Sequence, residues 1–194
     1  MDRIEGGTRV GARAGHLLAA LAGAALLTAN ATPVAAEPGT PGPAAAGNSK
    51  KARATIEARS GSKITGTATF EEMRDDVHVT VEIAGATPGE HGVHIHEKGD
   101  CSALDASSAG PHFNPAGHAH GAPGAPMHHA GDFGNITIGP DGKGTLSLMS
   151  HDINLKGGPK SVRGRAIVIH EKPDDLKGQP AGNAGARIGC GVIR

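Results

Sequence analysis

Histidines are concentrated in one part of this chain, and their spacing restricts how the chain can fold. The sequence has 12 histidines in 194 residues, and nine of them lie between residues 94 and 170. Six of these nine, together with one aspartate, have the spacing of metal ligands. These seven side chains are His94, His96, His112, His120, His129, Asp132 and His170. A single histidine in a glycine-rich loop is usually just solvated, so the spacing of the whole set matters more than any one member. Because neutral imidazole is the commonest protein ligand for Zn²⁺ and Cu²⁺, the spacing predicts two metal sites that share one imidazole.

The first predicted site begins in a strand. Residues two apart in an extended strand project from the same face, so His94 and His96 should point the same way. His170 ends another alternating segment, and His112 could reach the same place from a loop. Four nitrogens in a roughly planar set suit Cu²⁺.

The second predicted site combines His120, His129 and Asp132 with His112. Three nitrogens and one carboxylate suit tetrahedral Zn²⁺. Sharing His112 between the sites requires a deprotonated imidazole that binds through both ring nitrogens, which two nearby dications favour. Spacing alone does not prove the bridge.

Alternation of apolar and polar residues with a period of two recurs after residue 50 and predicts short β-strands. Shorter alternating runs occur at 93–95, 136–138, 146–148 and 165–169, and no segment has a sustained helical period. The clearest runs are Ala52, Ala54, Ile56 and Ala58; Ile64, Gly66, Ala68 and Phe70; and Val77, Val79, Val81 and Ile83. Short strands separated by turn residues are typical of an antiparallel sandwich or barrel.

Two segments, 97–131 and 171–186, lack this alternation and have the composition of loops. Loops of this length in a compact domain are usually functional. The histidines lie on the first loop and on strand ends that border both loops. The predicted fold and the predicted chemistry therefore coincide.

The N-terminal part predicts export and a linker. Residues 1–36 resemble a signal peptide: three arginines precede an apolar run at 17–27, and small residues follow at Val34-Ala35-Ala36. The alternative, a membrane-anchoring helix, needs about 18 or more apolar residues. Residues 37–50 are rich in proline, glycine and alanine and predict a flexible linker, which leaves 51–194 as one domain. The formal net charge of +0 argues against nucleic acid as a partner.

The chain has two cysteines, Cys101 and Cys190, and both lie in the part that would be exported. In an oxidising compartment the expected state is one disulfide, and the alternative is a pair of unpaired buried thiols.

Five segments of the chain resemble copper/zinc superoxide dismutase. The resemblance covers essentially residues 52–194, in order, and implies an all-β fold, an eight-stranded antiparallel Greek-key barrel or sandwich with two long functional loops. The segments are GEHGVHIHEKGDC at 89–101, SAGPHFNP at 108–115, HAGDFGNI at 129–136, VIHEKPDDL at 168–176 and GNAGARIGCGVI at 182–193.

The resemblance also implies a role for each residue of the site, with one copper and one zinc per chain. The implied copper ligands are His94, His96, His112 and His170, and the implied zinc ligands are His112, His120, His129 and Asp132.

Other positions match supporting residues of the family. Asp174 matches the acid that hydrogen-bonds one ligand of each metal, here His94 and His120, and His91 matches a histidine that braces the loop without touching metal. Arg187 matches the arginine that receives the anion beside copper. Cys101 and Cys190 match the intrachain disulfide of the family.

The implied reaction is the disproportionation of superoxide to dioxygen and hydrogen peroxide, with His112 and Arg187 as catalytic residues. His112 would dissociate from the reduced copper and take up a proton. It would then donate this proton when peroxide forms. The alternative is an exported copper-binding or copper-delivery protein without catalysis, which we would expect to lack a copper ligand or the arginine. This chain keeps them all.

The signal-peptide pattern predicts export without a membrane anchor; the bacterial periplasm is the expected compartment and the extracellular space is the alternative. The resemblance leaves a homodimer open. The loop at 175–187 is shorter than in the animal enzymes, with Lys172 and Lys177 as its nearby lysines, and the chain stops at Gly191-Val192-Ile193-Arg194 without their C-terminal tail. We therefore expect charge guidance and dimer contacts to differ from theirs.

Overall fold

A computed structural model describes residues 50–194, which form eight β-strands and one short 3-10 helix, Ser107–Ala109. The strands are β1 Lys51–Ala58, β2 Thr65–Met73, β3 Asp76–Ala84, β4 Gly89–His96, β5 Asp132–Ile138, β6 Lys143–Ser150, β7 Ala166–His170 and β8 Arg187–Val192. The proposed signal peptide, and the proposed linker up to residue 49, lie outside the described residues. Within residues 50–194, no helix has the length and apolar character needed to cross a membrane.

The strands form one antiparallel sheet in the order β5-β4-β7-β8-β1-β2-β3-β6. The two outermost strands, β5 and β6, also contact each other beside the turn that joins them, so the sheet nearly closes into a barrel. The connections from β3 to β4 and from β6 to β7 join strands that are not neighbours in the sheet. The predicted Greek-key barrel is confirmed.

Alternation along the strands places their apolar side chains inside the barrel. Each of Val77, Val79 and Val81 in β3 is buried, while the residues between them are partly exposed. In β4 the pattern changes, since every residue from 91 to 96 is buried. Val93 and Ile95 belong to the core inside the barrel. The alternate residues of β4 are buried on the outer side, under the two long loops.

The two long loops have the predicted bounds, because β4 ends at residue 96, β5 starts at 132, β7 ends at 170 and β8 starts at 187. The first loop packs on the barrel through a small second core. Its members are Ala106, Ala109, Ala166, Val168 and Cys190, with Cys101 packed against them.

A disulfide joins Cys101 in the first loop to Cys190 in β8, across a sequence separation of 89 residues. Because Cys190 also belongs to the second core, the bond fixes the start of the loop to the barrel wall at the same place where the loop packs. The loop is held further by Arg59, whose Nε donates to the carbonyl oxygen of Cys101 at 2.8 Å.

We predict that replacing both cysteines by serine lowers the melting temperature of the protein by about 10 °C or more. A bond that closes a loop of this length removes chain entropy from the unfolded state, by roughly 4–5 kcal/mol in the loop-entropy account. Calorimetry of the wild type and the double variant measures the shift, and a reducing agent should then have no effect on the variant. Equal melting temperatures would refute the prediction.

Candidate metal centre

The sheet brings the predicted site residues together as cross-strand neighbours. β4 is irregular between Gly92 and His94 in its pairing with β5, and β7 is irregular between Ile169 and His170 in its pairing with β8. These irregularities shift the register at the strand ends where the site lies. The resulting opposed pairs are His94 with Asp132, His96 with His112, and His170 with Arg187.

Two groups of buried side chains could each hold a metal ion. Each member offers one ligand atom, and within a group these atoms lie within 4.8 Å of one another. The first group is His94, His96, His112 and His170, and the second is His112, His120, His129 and Asp132. His112 is a member of both groups.

Carbonyl oxygens of the two long loops orient two histidines of the first group. Nδ1 of His96 donates to the carbonyl oxygen of Gly110 at 2.8 Å, and Nδ1 of His170 lies 3.3 Å from that of Gly185. Since a carbonyl only accepts, Nδ1 is the protonated nitrogen in each ring. The lone pair of Nε2 is then left for a metal ion.

Asp174 connects the two groups. Its Oδ2 accepts a hydrogen bond from Nε2 of His94 at 2.8 Å, and its Oδ1 accepts one from Nε2 of His120 at 2.9 Å. Both bonds leave Nδ1 of the histidine without a proton. Gly182 makes this arrangement possible, because a Cβ atom there would lie 1.8 Å from Asp174 Oδ1.

Asp132 lies at the centre of the second group. Its Oδ1 is 2.9 Å from Nδ1 of His112 and 3.3 Å from Nδ1 of His129, and its Oδ2 is 3.0 Å from Nδ1 of His120. The backbone N–H of His129 also donates to Oδ2 at 2.9 Å. Three imidazole nitrogens thus face one carboxylate.

Five buried ring nitrogens have no hydrogen-bond partner among the described residues. Leaving a buried polar atom unpaired costs about 1–3 kcal/mol, so five in one place require an explanation. They are His94 Nδ1, His96 Nε2, His112 Nε2, His120 Nδ1 and His170 Nε2. Four of them come from the four members of the first group. His120 Nδ1 belongs to the second group, where its contact with Asp132 lacks the angles of a hydrogen bond. The donor sets therefore fit two metal ions.

Burial keeps three histidines of the first group, His94, His96 and His170, neutral. Desolvation, followed by repulsion from His112, holds the pKa of His94 and of His96 well below its ordinary value. Desolvation also lowers the pKa of His170 to about 4. These imidazoles are therefore unprotonated at neutral pH, as a cation requires of its ligands.

The carboxyl group of Asp132 is ionised. Burial opposes its ionisation, but hydrogen bonds from His112 and from the backbone N–H of His129 outweigh burial and lower the pKa to about 2. The second group therefore contributes one negative charge, which favours a dication.

Arg187 shares a surface cleft with the two groups. The guanidinium is half-buried, and its Nη1 donates to the carbonyl oxygen of Ala106 at 2.8 Å. The cleft has a volume of about 400 Å³ and is lined by Glu97, Pro111, His112, Asn114, His129, Pro180, Ala181 and Arg187. A fixed positive charge thus borders the same opening as the shared histidine.

His91 is buried but belongs to neither group. Its ring lies between two carbonyl oxygens, with Nδ1 at 2.8 Å from that of His170 and Nε2 at 2.9 Å from that of Thr87. His91 therefore contacts the backbone at the end of β7, beside the first group. The remaining histidines of residues 50–194 also lie outside both groups; they are His78, His118, His128 and His151.

Sequence reasoning missed two amides that hold site residues by their backbone. Asn135 accepts from the N–H of Asp174 at 2.7 Å and donates to its carbonyl oxygen at 2.9 Å. Gln179 does the same for His120, with both bonds at 2.9 Å. Asn135 lies in the segment HAGDFGNI at 129–136, whereas Gln179 lies in a loop with no motif to mark it.

Together, the barrel and the two histidine groups define a protein built to hold two metal ions side by side beneath its long loops. The family model of copper/zinc superoxide dismutase matches residues 64–193. The chain belongs to this family. The chain is also similar to a crystal structure of the clock protein EA4, with a TM-score of 0.68 and 40% sequence identity, over 74% of this chain and 93% of that chain.

We predict that the metal-free protein loses stability as the pH falls from about 6.5 to about 4. The pKa of His170 is about 4 in the folded protein against an ordinary value of 6.5, so the unfolded chain takes up the proton first. The contribution of neutral His170 to the free energy of unfolding is therefore fully present above pH 6.5. It is lost as the pH falls through this window, and the loss is about 3 kcal/mol for His170 alone.

Urea unfolding of chelator-treated protein at pH 7.5, 6.0 and 4.5 measures this loss. The free energy of unfolding of the variant His170→Asn should depend less steeply on pH than that of the wild type, whatever its value at pH 7.5. Equal slopes for the variant and the wild type would contradict the assignment. The titration of Asp132, with a pKa of about 2, lies below this window.

Proposed function

We propose that this protein is a superoxide dismutase that converts two superoxide anions and two protons to dioxygen and hydrogen peroxide. The observation that carries the proposal is one cleft lined by both the shared histidine, His112, and the cationic Arg187. Such an opening provides a positive charge for a small anion and a ring nitrogen that can hold a proton.

The donor sets support copper in the first group and zinc in the second, one ion of each per chain. Four imidazole nitrogens suit Cu²⁺, and three nitrogens with one carboxylate suit Zn²⁺. Bound copper would supply the one-electron redox chemistry, and bound zinc would supply a fixed positive charge.

Arg187 would bind the substrate. Superoxide is a monoanion, and a guanidinium stays charged at any relevant pH. Its hydrogen bond to the carbonyl oxygen of Ala106 fixes the orientation of the side chain at the cleft. The disulfide three residues further along the chain, at Cys190, restrains the strand that carries it.

His112 would move the proton that peroxide formation needs. Its Nδ1 lies 2.9 Å from the carboxylate of Asp132, while its Nε2 is buried without a partner. Nε2 is therefore the atom at which a proton can be held and given up. Asp132 fixes the orientation of the ring during this exchange.

We further propose that residues 1–36 are a signal peptide, that 37–50 are a linker and that 51–194 form the enzyme domain. The disulfide supports export, since such bonds persist in oxidising compartments; the periplasm is the compartment we propose. Mass spectrometry of the exported protein should find an N-terminus near Glu37. A mature chain starting at Met1 would exclude the signal peptide.

We predict that His112→Ala lowers the metal affinity of both groups, whereas His129→Ala lowers the metal affinity of the second group alone. The reason is that His112 belongs to both groups and His129 to one. Copper and zinc contents after dialysis against a competing chelator measure both effects. Unchanged zinc retention in His112→Ala would exclude a shared ligand.

We predict that Arg187→Glu reduces the second-order rate constant for superoxide consumption at least about tenfold, with copper and zinc still near one each per chain. A fixed charge beside a partly desolvated site acts strongly on an anion, and added salt screens it. Rising ionic strength should therefore lower the rate constant of the wild type and raise that of Arg187→Glu.

The matched control is Arg53→Glu, the same change of charge on the exposed face of β1. Arg53→Glu should change the rate constant much less than Arg187→Glu does. Arg187→Gln removes the charge without reversing it, so its rate constant should lie between those of the wild type and Arg187→Glu. Metal binding by the wild type without superoxide consumption would favour the alternative, a copper-binding protein without catalysis.

A further inference from the structure

Arg165, the residue just before β7, makes three contacts that the roles proposed above do not use. Its Nε donates to the carbonyl oxygen of Ser161 at 2.6 Å, and its Nη1 donates to that of Glu97 at 2.9 Å. Its Cζ lies 3.7 Å from the ring centroid of Phe113. The side chain is half-buried, and Phe113 is 2% exposed. Arg165 therefore joins three separate segments of the chain.

Two of these contacts are made to residues that directly follow proposed copper ligands. Glu97 follows His96, and Phe113 follows His112. The two segments form a short antiparallel ladder in which His96 lies opposite His112. The N–H of Phe113 donates to the carbonyl oxygen of residue 95 at 2.8 Å, and the N–H of Glu97 donates back to that of residue 111 at 3.0 Å. The ring centroids of His96 and His112 are 4.9 Å apart.

The guanidinium group lies against the end of this ladder. Its planar fork and its flat face act together, because Nη1 binds one strand of the ladder while the face covers the aromatic ring of the other. A lysine ammonium at this place would carry the same charge without the fixed plane. The arrangement restrains the separation and relative orientation of the two segments.

We propose that Arg165 is a positioning residue for the copper site, which fixes His96 and His112 relative to each other by clamping the ladder that carries them. The proposal rests on the proposed function for the identity of the metal. Its geometric part, the clamped ladder, does not depend on any metal.

The chain supplies a matched control two residues away. Arg163 belongs to the same connection and also binds backbone carbonyl oxygens, with Nε donating to Leu155 at 3.1 Å and Nη2 to Lys51 at 2.6 Å. Neither acceptor residue adjoins a proposed metal ligand. Arg163→Met therefore removes a comparable arginine anchor without touching the ladder.

The experiment compares Arg165→Met, Arg165→Lys and Arg163→Met with the wild type by three measurements. Amide hydrogen exchange of Glu97 and Phe113 is measured in metal-free protein. The copper dissociation constant is measured by chelator competition, and the Cu²⁺ electron paramagnetic resonance spectrum is recorded for the metal-loaded protein.

In Arg165→Met, both ladder amides should exchange at least about tenfold faster than in Arg163→Met. The copper dissociation constant should rise roughly 10–100-fold, the range expected when a residue that orients a ligand is lost. The copper hyperfine splitting should also change. Arg165→Lys should show a smaller change in each, which keeps the test informative if Arg165→Met does not fold.

Wild-type exchange at both amides in Arg165→Met, or the same exchange, affinity and spectral changes in Arg163→Met, would overturn the proposal. Faster ladder exchange without a change in copper affinity or spectrum would also overturn it, because the clamp would then not position the ligands. Failure of the proposed function looks different: the wild type itself would not consume superoxide, or would bind no copper through nitrogen ligands, whatever the exchange rates.

Discussion

The carboxylate of Asp174 accepts one hydrogen bond from each metal-binding group, and the arrangement of both long loops depends on this pair of bonds. One carboxylate fixes which nitrogen of His94 and of His120 is free, so the two groups acquire their donor atoms together. The backbone of Asp174 is held in turn by Asn135 at the barrel wall. The second loop can approach this closely because residue 182 has no side chain. Barrel, first loop and second loop thus meet at a single buried acid.

From residue 91 to 96, β4 is buried on both of its faces: one face packs in the core, and the other carries site histidines. Its inward side chains, Val93 and Ile95, are ordinary core residues, and its outward side chains, His94 and His96, are as fully buried under the loops. β7, whose five residues are all buried, shares this property, and in such strands both faces must be satisfied. The apolar face is satisfied by packing. The other face is satisfied by loop carbonyls and one carboxylate, which leave one nitrogen of each ring for a ligand.

Much of this fold could be predicted from local patterns, since alternation with a period of two marks β1, β2 and β3 and its absence marks both long loops. The grouping of the seven site residues also follows from spacing, whereas their individual roles came from family resemblance. What could not be predicted are contacts that depend on backbone atoms brought together by the fold. The side chain of Gln179 binds the backbone N–H and carbonyl oxygen of His120. The side chain of Arg165 donates to carbonyl oxygens on two segments. No periodicity or motif reports where a carbonyl oxygen will lie, so these residues emerge only from the three-dimensional structure.

The second core beneath the first loop is small. Apart from Val168 and the cysteines, it is built from alanines, and a methyl group buries too little apolar area to hold a long loop by itself. The covalent bond between Cys101 and Cys190 therefore holds the first part of the loop, whereas Phe113 anchors its later part in the main core. Reduction of this bond would loosen the segment that carries the carbonyl oxygens of Ala106 and Gly110, which bind Arg187 and His96. Two cysteines that bind no metal thus influence how well the site is ordered.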